Sequence, residues 1–170
     1  MKHASRRMAV CGLSAALCVV VMVLGSAFGV LTYVCPLLAG LVVGAVREEQ
    51  GIRDALTLWA AAGLLALLLV PDLEMSVLFA GLFGWYPVLR PALDRLSPWL
   101  GRLCKAALYL GAALLCYGGL ILLLGLDGLE LGGWAENCLL LVLGGVIFFA
   151  YDRVLDRMAP RLIPWLRRRL

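Results

Sequence analysis

Six cysteines are the first candidates for chemistry: Cys11, Cys18, Cys35, Cys104, Cys116 and Cys138. Their spacing argues against it. None forms a Cys-x-x-Cys pair and the only histidine is His3, so no metal-ligand pattern exists. They read as small apolar packing residues. Polar and aromatic groups collect instead in three short connections: Thr32-Tyr33, Asp72 to Glu74, and Asp127 to Asn137. Rings with a few hydrogen-bonding groups are the usual makeup of a small-molecule pocket. The same residues also suit an interfacial belt with solvated loop acids. The pocket reading assigns substrate contact to Tyr33, Asp72, Glu74, Trp134, Glu136 and Asn137. Only acids are charged there, so a neutral or cationic ligand is favoured. Trp134 and Tyr33 would stack on a flat ring, and Glu136 or Asn137 would supply hydrogen bonds. No P-loop, His-Glu-x-x-His or Gly-x-Ser-x-Gly is present. The chain therefore reads as a non-enzyme, with no cofactor and no metal.

These residues must be positioned by membrane helices. Of 170 residues, 64% are hydrophobic and 15% charged, with a mean hydropathy of +0.98. A soluble domain could not hide so much apolar surface behind so few charges. That composition excludes a soluble enzyme, a disordered tail, a secreted disulfide scaffold and a nucleic-acid-binding domain. Six apolar runs fall at about 8–30, 31–46, 55–70, 75–89, 103–126 and 134–151. They predict an all-α bundle of six transmembrane helices in a single domain, 1–170. Open strand edges cannot sit in lipid, and stretches such as Leu64 to Val70 lack the alternation of a barrel strand. No charge interrupts Met8 to Val46, so the break between the first two spans must fall near Gly29 to Pro36.

Orientation follows from the basic residues. All 15 Lys and Arg lie on one side of a six-span arrangement, while Asp72, Glu74, Asp127, Glu130 and Glu136 lie on the other. By the positive-inside rule both termini are cytoplasmic, and the chain is a multi-pass protein of a bacterial inner membrane. Ser5-Arg6-Arg7 resembles a twin-arginine signal, but the following apolar run is too long for a signal core. It reads as a retained first span. Arg161 to Leu170 alternates Arg with apolar residues, as an interfacial segment against anionic lipid does. No charge lies near the centre of any run. Lys105 is nearest, and is expected to snorkel to the inner surface. This predicts no self-powered ion-coupled transport.

Two further features concern partners. Arg90 to Arg102 has the spacing of a cytoplasmic interfacial helix between the fourth and fifth spans, with Leu93, Leu96, Trp99 and Leu100 on one side. Small residues four apart, Cys11 with Ala15, Gly12 with Ala16, and Gly40 with Gly44, allow close helix approach. Such faces serve either internal packing or a partner.

The six-span plan, the basic tail, Arg6-Arg7-Met8-Ala9 leading into Gly12-Leu13-Ser14-Ala15-Ala16-Leu17, and Gly40-Leu41-Val42-Val43-Gly44-Ala45 resemble the S components of energy-coupling factor transporters. Gly84-Trp85-Tyr86-Pro87-Val88-Leu89-Arg90 is similar to a Gly-Tyr-Tyr-Pro-x-x-Lys feature of uncharacterised members. The resemblance implies a membrane subunit that binds a vitamin or related micronutrient, energised by a separate T component and ATPases. It implies that Cys11, Gly12, Ala15 and Ala16 face that T component, with Cys11 and Gly12 standing where alanines are usual. No ligand signature of the thiamine, biotin or riboflavin subfamilies is present. Two alternatives are a non-transporting scaffold similar to the rod-shape-determining membrane subunit, and a small homo-oligomeric transporter.

Overall fold

The computed structural model describes residues 2–28, 31–95, 97–124 and 142–156. Every element among them is helical, and no strand occurs among the described residues. The order is α1 (Lys2–Ser26), α2 (Val34–Gln50), α3 (Ile52–Leu69), α4 (Leu73–Leu78), a π-helical turn (Phe79–Phe83), α5 (Tyr86–Leu93), α6 (Pro98–Leu124) and α7 (142–156). Three of these contain stretches long and apolar enough to cross a membrane: Ser5–Ser26, Ile52–Leu69 and Trp99–Cys116. Leu13, Leu24, Leu64, Leu68, Leu114 and Leu115 are exposed on their outer faces. That is the pattern of helices solvated by lipid rather than water.

Two apolar clusters hold the bundle. The first joins α1, α2, α3 and α4 through Cys18, Met22, Ala39, Val43, Leu58, Ala62 and Met75, all nearly inaccessible. Small residues dominate it, because the three helices approach too closely for larger ones. The second joins the π turn, α5, α6 and α7 through aromatic rings. Tyr86 meets Phe148 edge-on at 4.6 Å between centroids, and Phe83 meets Tyr151 edge-on at 5.4 Å. Edge-to-face pairs exploit the ring quadrupole beyond simple burial. Gly40 is where the two halves touch: a Cβ there would collide with the Tyr151 hydroxyl and the Phe83 carbonyl. Gly44 likewise lies against Pro87 and Leu155. The Gly40–Gly44 pair therefore serves internal packing.

The fourth apolar run is a broken helix. Asp72 caps α4 by accepting from the Met75 amide at 3.2 Å. Ser76 Oγ then donates to the Ala66 carbonyl at 3.1 Å, tying α4 back to α3. At the π turn the Gly84 amide reaches back to the Phe79 carbonyl. The carbonyls of Ala80 and Gly81 accept from the indoles of Trp59 (3.1 Å) and Trp85 (2.6 Å). A widened turn leaves backbone acceptors to be satisfied by side chains, and two tryptophans do so here. Pro87 sits in the first turn of α5, where its missing amide costs nothing.

The expected interfacial helix over Arg90 to Arg102 is not continuous. α5 ends at Leu93 and α6 begins at Pro98, with a turn between them. Pro98 favours a helix start and bars the preceding residue from helical geometry, which overrides the amphipathic spacing.

Candidate functional site

Two polar clusters lie at opposite ends of the bundle. The first gathers part of the expected pocket. Thr32 Oγ1 donates to Asp72 Oδ2 at 3.0 Å, and the Tyr33 hydroxyl donates to Glu74 Oε1 at 2.9 Å. These bonds join the α1–α2 connection to the α3–α4 turn, across about 40 residues of sequence. Asp72 does two jobs with two oxygens: one caps α4 and the other holds Thr32. It is thus a structural acid. Tyr33 is exposed, and its partner Glu74 lies on the first turn of α4. Trp134, Glu136 and Asn137 lie outside the described residues.

The four expected partner residues divide between two faces of α1. Ala15 is buried against the first apolar cluster and Cys11 is half-buried beside it. Gly12 and Ala16 are exposed, and a Cβ on Gly12 would meet nothing within 4 Å. Near the start of α1, Arg7 pairs with Asp54 at 2.6 Å and donates to the Gln50 carbonyl. This pins α1 to the α2–α3 turn, where Gly51 adopts φ +97°. Few residues but glycine take that conformation.

The second cluster was not expected from the sequence. Lys105 does not snorkel to the surface. It turns inward, about 10 Å along α6 from the helix start at 1.5 Å per residue, and is buried. Its Nζ donates to Asp152 Oδ2 at 2.8 Å and pairs with Asp94 Oδ1 at 2.7 Å. Arg90 Nε donates to Asp152 Oδ1 at 2.8 Å, and its Nη2 pairs with Asp156. The Tyr86 hydroxyl completes the set, donating to Asp152 Oδ1 at 2.5 Å. Asp152, on α7, is therefore shared by one phenol and two cations from two other helices, Tyr86 and Arg90 on α5 and Lys105 on α6. Burial alone would raise its carboxyl. The hydrogen bonds from Lys105 and Tyr86 and the charges of Lys105 and Arg90 outweigh that and hold it below the usual carboxylate range. The one available clue was the position of Asp152 just past the sixth run, among basic residues.

No cluster of three or more His, Cys, Asp or Glu residues suited to a metal ion exists among the described residues. Every buried side-chain nitrogen or oxygen among them has a hydrogen-bond partner. The buried cluster is thus fully hydrogen-bonded, whereas at the other end Tyr33 is exposed.

No family model matches the chain, and no curated protein or solved structure is similar to it.

Proposed function

We propose that this chain is the substrate-binding membrane subunit of a micronutrient uptake transporter, similar to the S components of energy-coupling factor systems. The observation that carries the reading is the joining of two connections at one end of the bundle by Thr32–Asp72 and Tyr33–Glu74. Those connections bring an exposed aromatic ring and acids together, as a site for a neutral or cationic small molecule requires. Trp134, Glu136 and Asn137 would close it from the fifth-to-sixth connection. Six spans, both termini in the cytoplasm and a bacterial inner membrane belong to the same proposal, from the one-sided distribution of basic residues. Energy would come from a separate T component and ATPases. The exposed positions Gly12 and Ala16 would contact that T component, while Cys11 and Ala15 support the helix from within.

The test is purification from native membranes in mild detergent, with mass spectrometry of retained small molecules and protein partners. The expected result is a stoichiometric small molecule together with a second membrane subunit and ATPases. Replacing Tyr33 by Phe and Glu74 by Ala should weaken ligand binding about tenfold, roughly 1.4 kcal/mol. A chain that carries no ligand and associates with cell-wall synthesis proteins would replace this reading with a scaffold.

A further inference from the structure

An apolar groove of about 300 Å³ opens between α3 and the broken fourth segment. It is lined by Ile52, Leu56, Trp59, Trp85, Val88 and Leu89. Ile52, Leu56 and Trp59 are four and three residues apart, one face of α3. Both indole N–H groups are already donated to backbone carbonyls. The groove therefore asks nothing polar of its occupant. Ile52 is also the first residue of a stretch apolar enough to span a membrane, so the groove begins at an interfacial end.

Charge at that end selects the occupant. Arg53 follows Ile52 on the first turn of α3 and is exposed. Of its neighbouring acids, Asp54 is engaged by Arg7 and Glu48 by Arg47, while the exposed Glu49 forms no ion pair among the described residues. Arg53 itself forms no ion pair among the described residues. An exposed arginine next in sequence to the groove-lining Ile52, at the membrane boundary, matches one amphiphile, with an anionic phosphate head and a hydrocarbon tail. We infer that this groove is a specific site for an anionic phospholipid, its acyl chain on Leu56, Trp59 and Trp85 and its phosphate on Arg53. The site is distinct from the Tyr33–Glu74 end. It rests on the chain lying in a bilayer but not on transport.

Tryptophan fluorescence provides the test. Trp59 and Trp85 are kept, and Trp99, Trp134 and Trp165 are replaced by Phe. The chain is placed in nanodiscs doped with phosphatidylglycerol or phosphatidylcholine carrying brominated acyl chains, which quench only on contact. The expected result is quenching at about fivefold lower mole fraction of the anionic lipid, the preference one interfacial basic residue supplies. Arg53→Gln should abolish that preference and Arg53→Lys should keep most of it. Native mass spectrometry of the natural chain should show one phosphatidylglycerol retained, and its loss in Arg53→Gln. Equal quenching by both lipids in the unaltered-Arg53 chain would mean ordinary bilayer contact and overturn the site. A preference that survives Arg53→Gln would place the headgroup elsewhere and also overturn it. Weak quenching by either lipid, with the chain shown to be in the disc, would mean that protein covers the groove.

Discussion

At the scale of single residues, Asp152 carries the most consequence. It is the shared acceptor of Tyr86, Arg90 and Lys105. Removing its charge leaves two buried cations facing each other with only Asp94 and Asp156 beside them. Asp152→Asn should therefore destabilise the chain by about 3–5 kcal/mol, the usual cost of breaking a buried ionic group. Asp156, 60% exposed at its side chain, should cost under about 1 kcal/mol when replaced by Asn. Thermal unfolding in detergent compares them. A pH effect follows from the same carboxyl, whose titration lies below the ordinary range in the folded chain. A depressed pKa adds stability that is complete above the unfolded value, about 3.9, and is lost as pH falls through the folded value. The melting temperature should stay level from about pH 7 to 5 and drop below about pH 4, with a smaller drop in Asp152→Asn. An equal drop in both proteins would assign the acid sensitivity to other carboxylates. None of this was legible in the sequence. Arg90, Lys105 and Asp152 lie at the edges of apolar runs, where charges ordinarily anchor a span, and only three-dimensional proximity turns anchors into a buried network.

At the scale of elements, the apolar runs were legible because lipid solvation demands continuous helix, and helix occupies each run in whole or in part. The breaks were harder to read. Pro98 ended the supposed interfacial helix, and the π turn at Phe79–Phe83 left no signal beyond Gly81 and Gly84 in an otherwise regular run. Tryptophan donors placed far apart in sequence, Trp59 and Trp85, make that turn affordable. Small-residue spacing was legible as close approach but silent about which helix approaches. Gly40 and Gly12 share the spacing yet have opposite surroundings, one in contact with Phe83 and Tyr151 and the other open. Gly40→Leu should prevent folding, since the colliding Phe83 carbonyl is backbone and cannot move aside. Gly12→Leu should fold normally and, if α1 presents Gly12 and Ala16 to a partner, should lose that partner on purification. Size-exclusion profiles and co-purified proteins read both outcomes, and a misfolded Gly12→Leu would show that the face is internal.

At the scale of the molecule, buried charge is paired at one end of the bundle, and Tyr33 is exposed at the other. The buried cations Arg90 and Lys105 share the buried Asp152, and the exposed carboxylates of Asp94 and Asp156 pair with them from the rim. An ion-coupled carrier must expose a carboxylate or cation to each side in turn, which requires a charge that can exchange its partner for the coupling ion. Asp152 is poorly placed for that. Releasing it to a proton would mean surrendering hydrogen bonds to Lys105, Arg90 and Tyr86 together, and its lowered pKa measures that resistance. The chain alone is therefore expected to drive no accumulation. Reconstituted in liposomes with an imposed proton or sodium gradient, it should show no more substrate uptake than protein-free vesicles. The candidate ligand is supplied from the mass-spectrometric analysis of the native preparation. Adding the co-purified membrane subunit and ATPases with internal or external ATP should restore uptake. Gradient-driven uptake by the chain alone that is lost in Asp152→Asn would make the buried cluster the coupling site and remove the need for separate energisers.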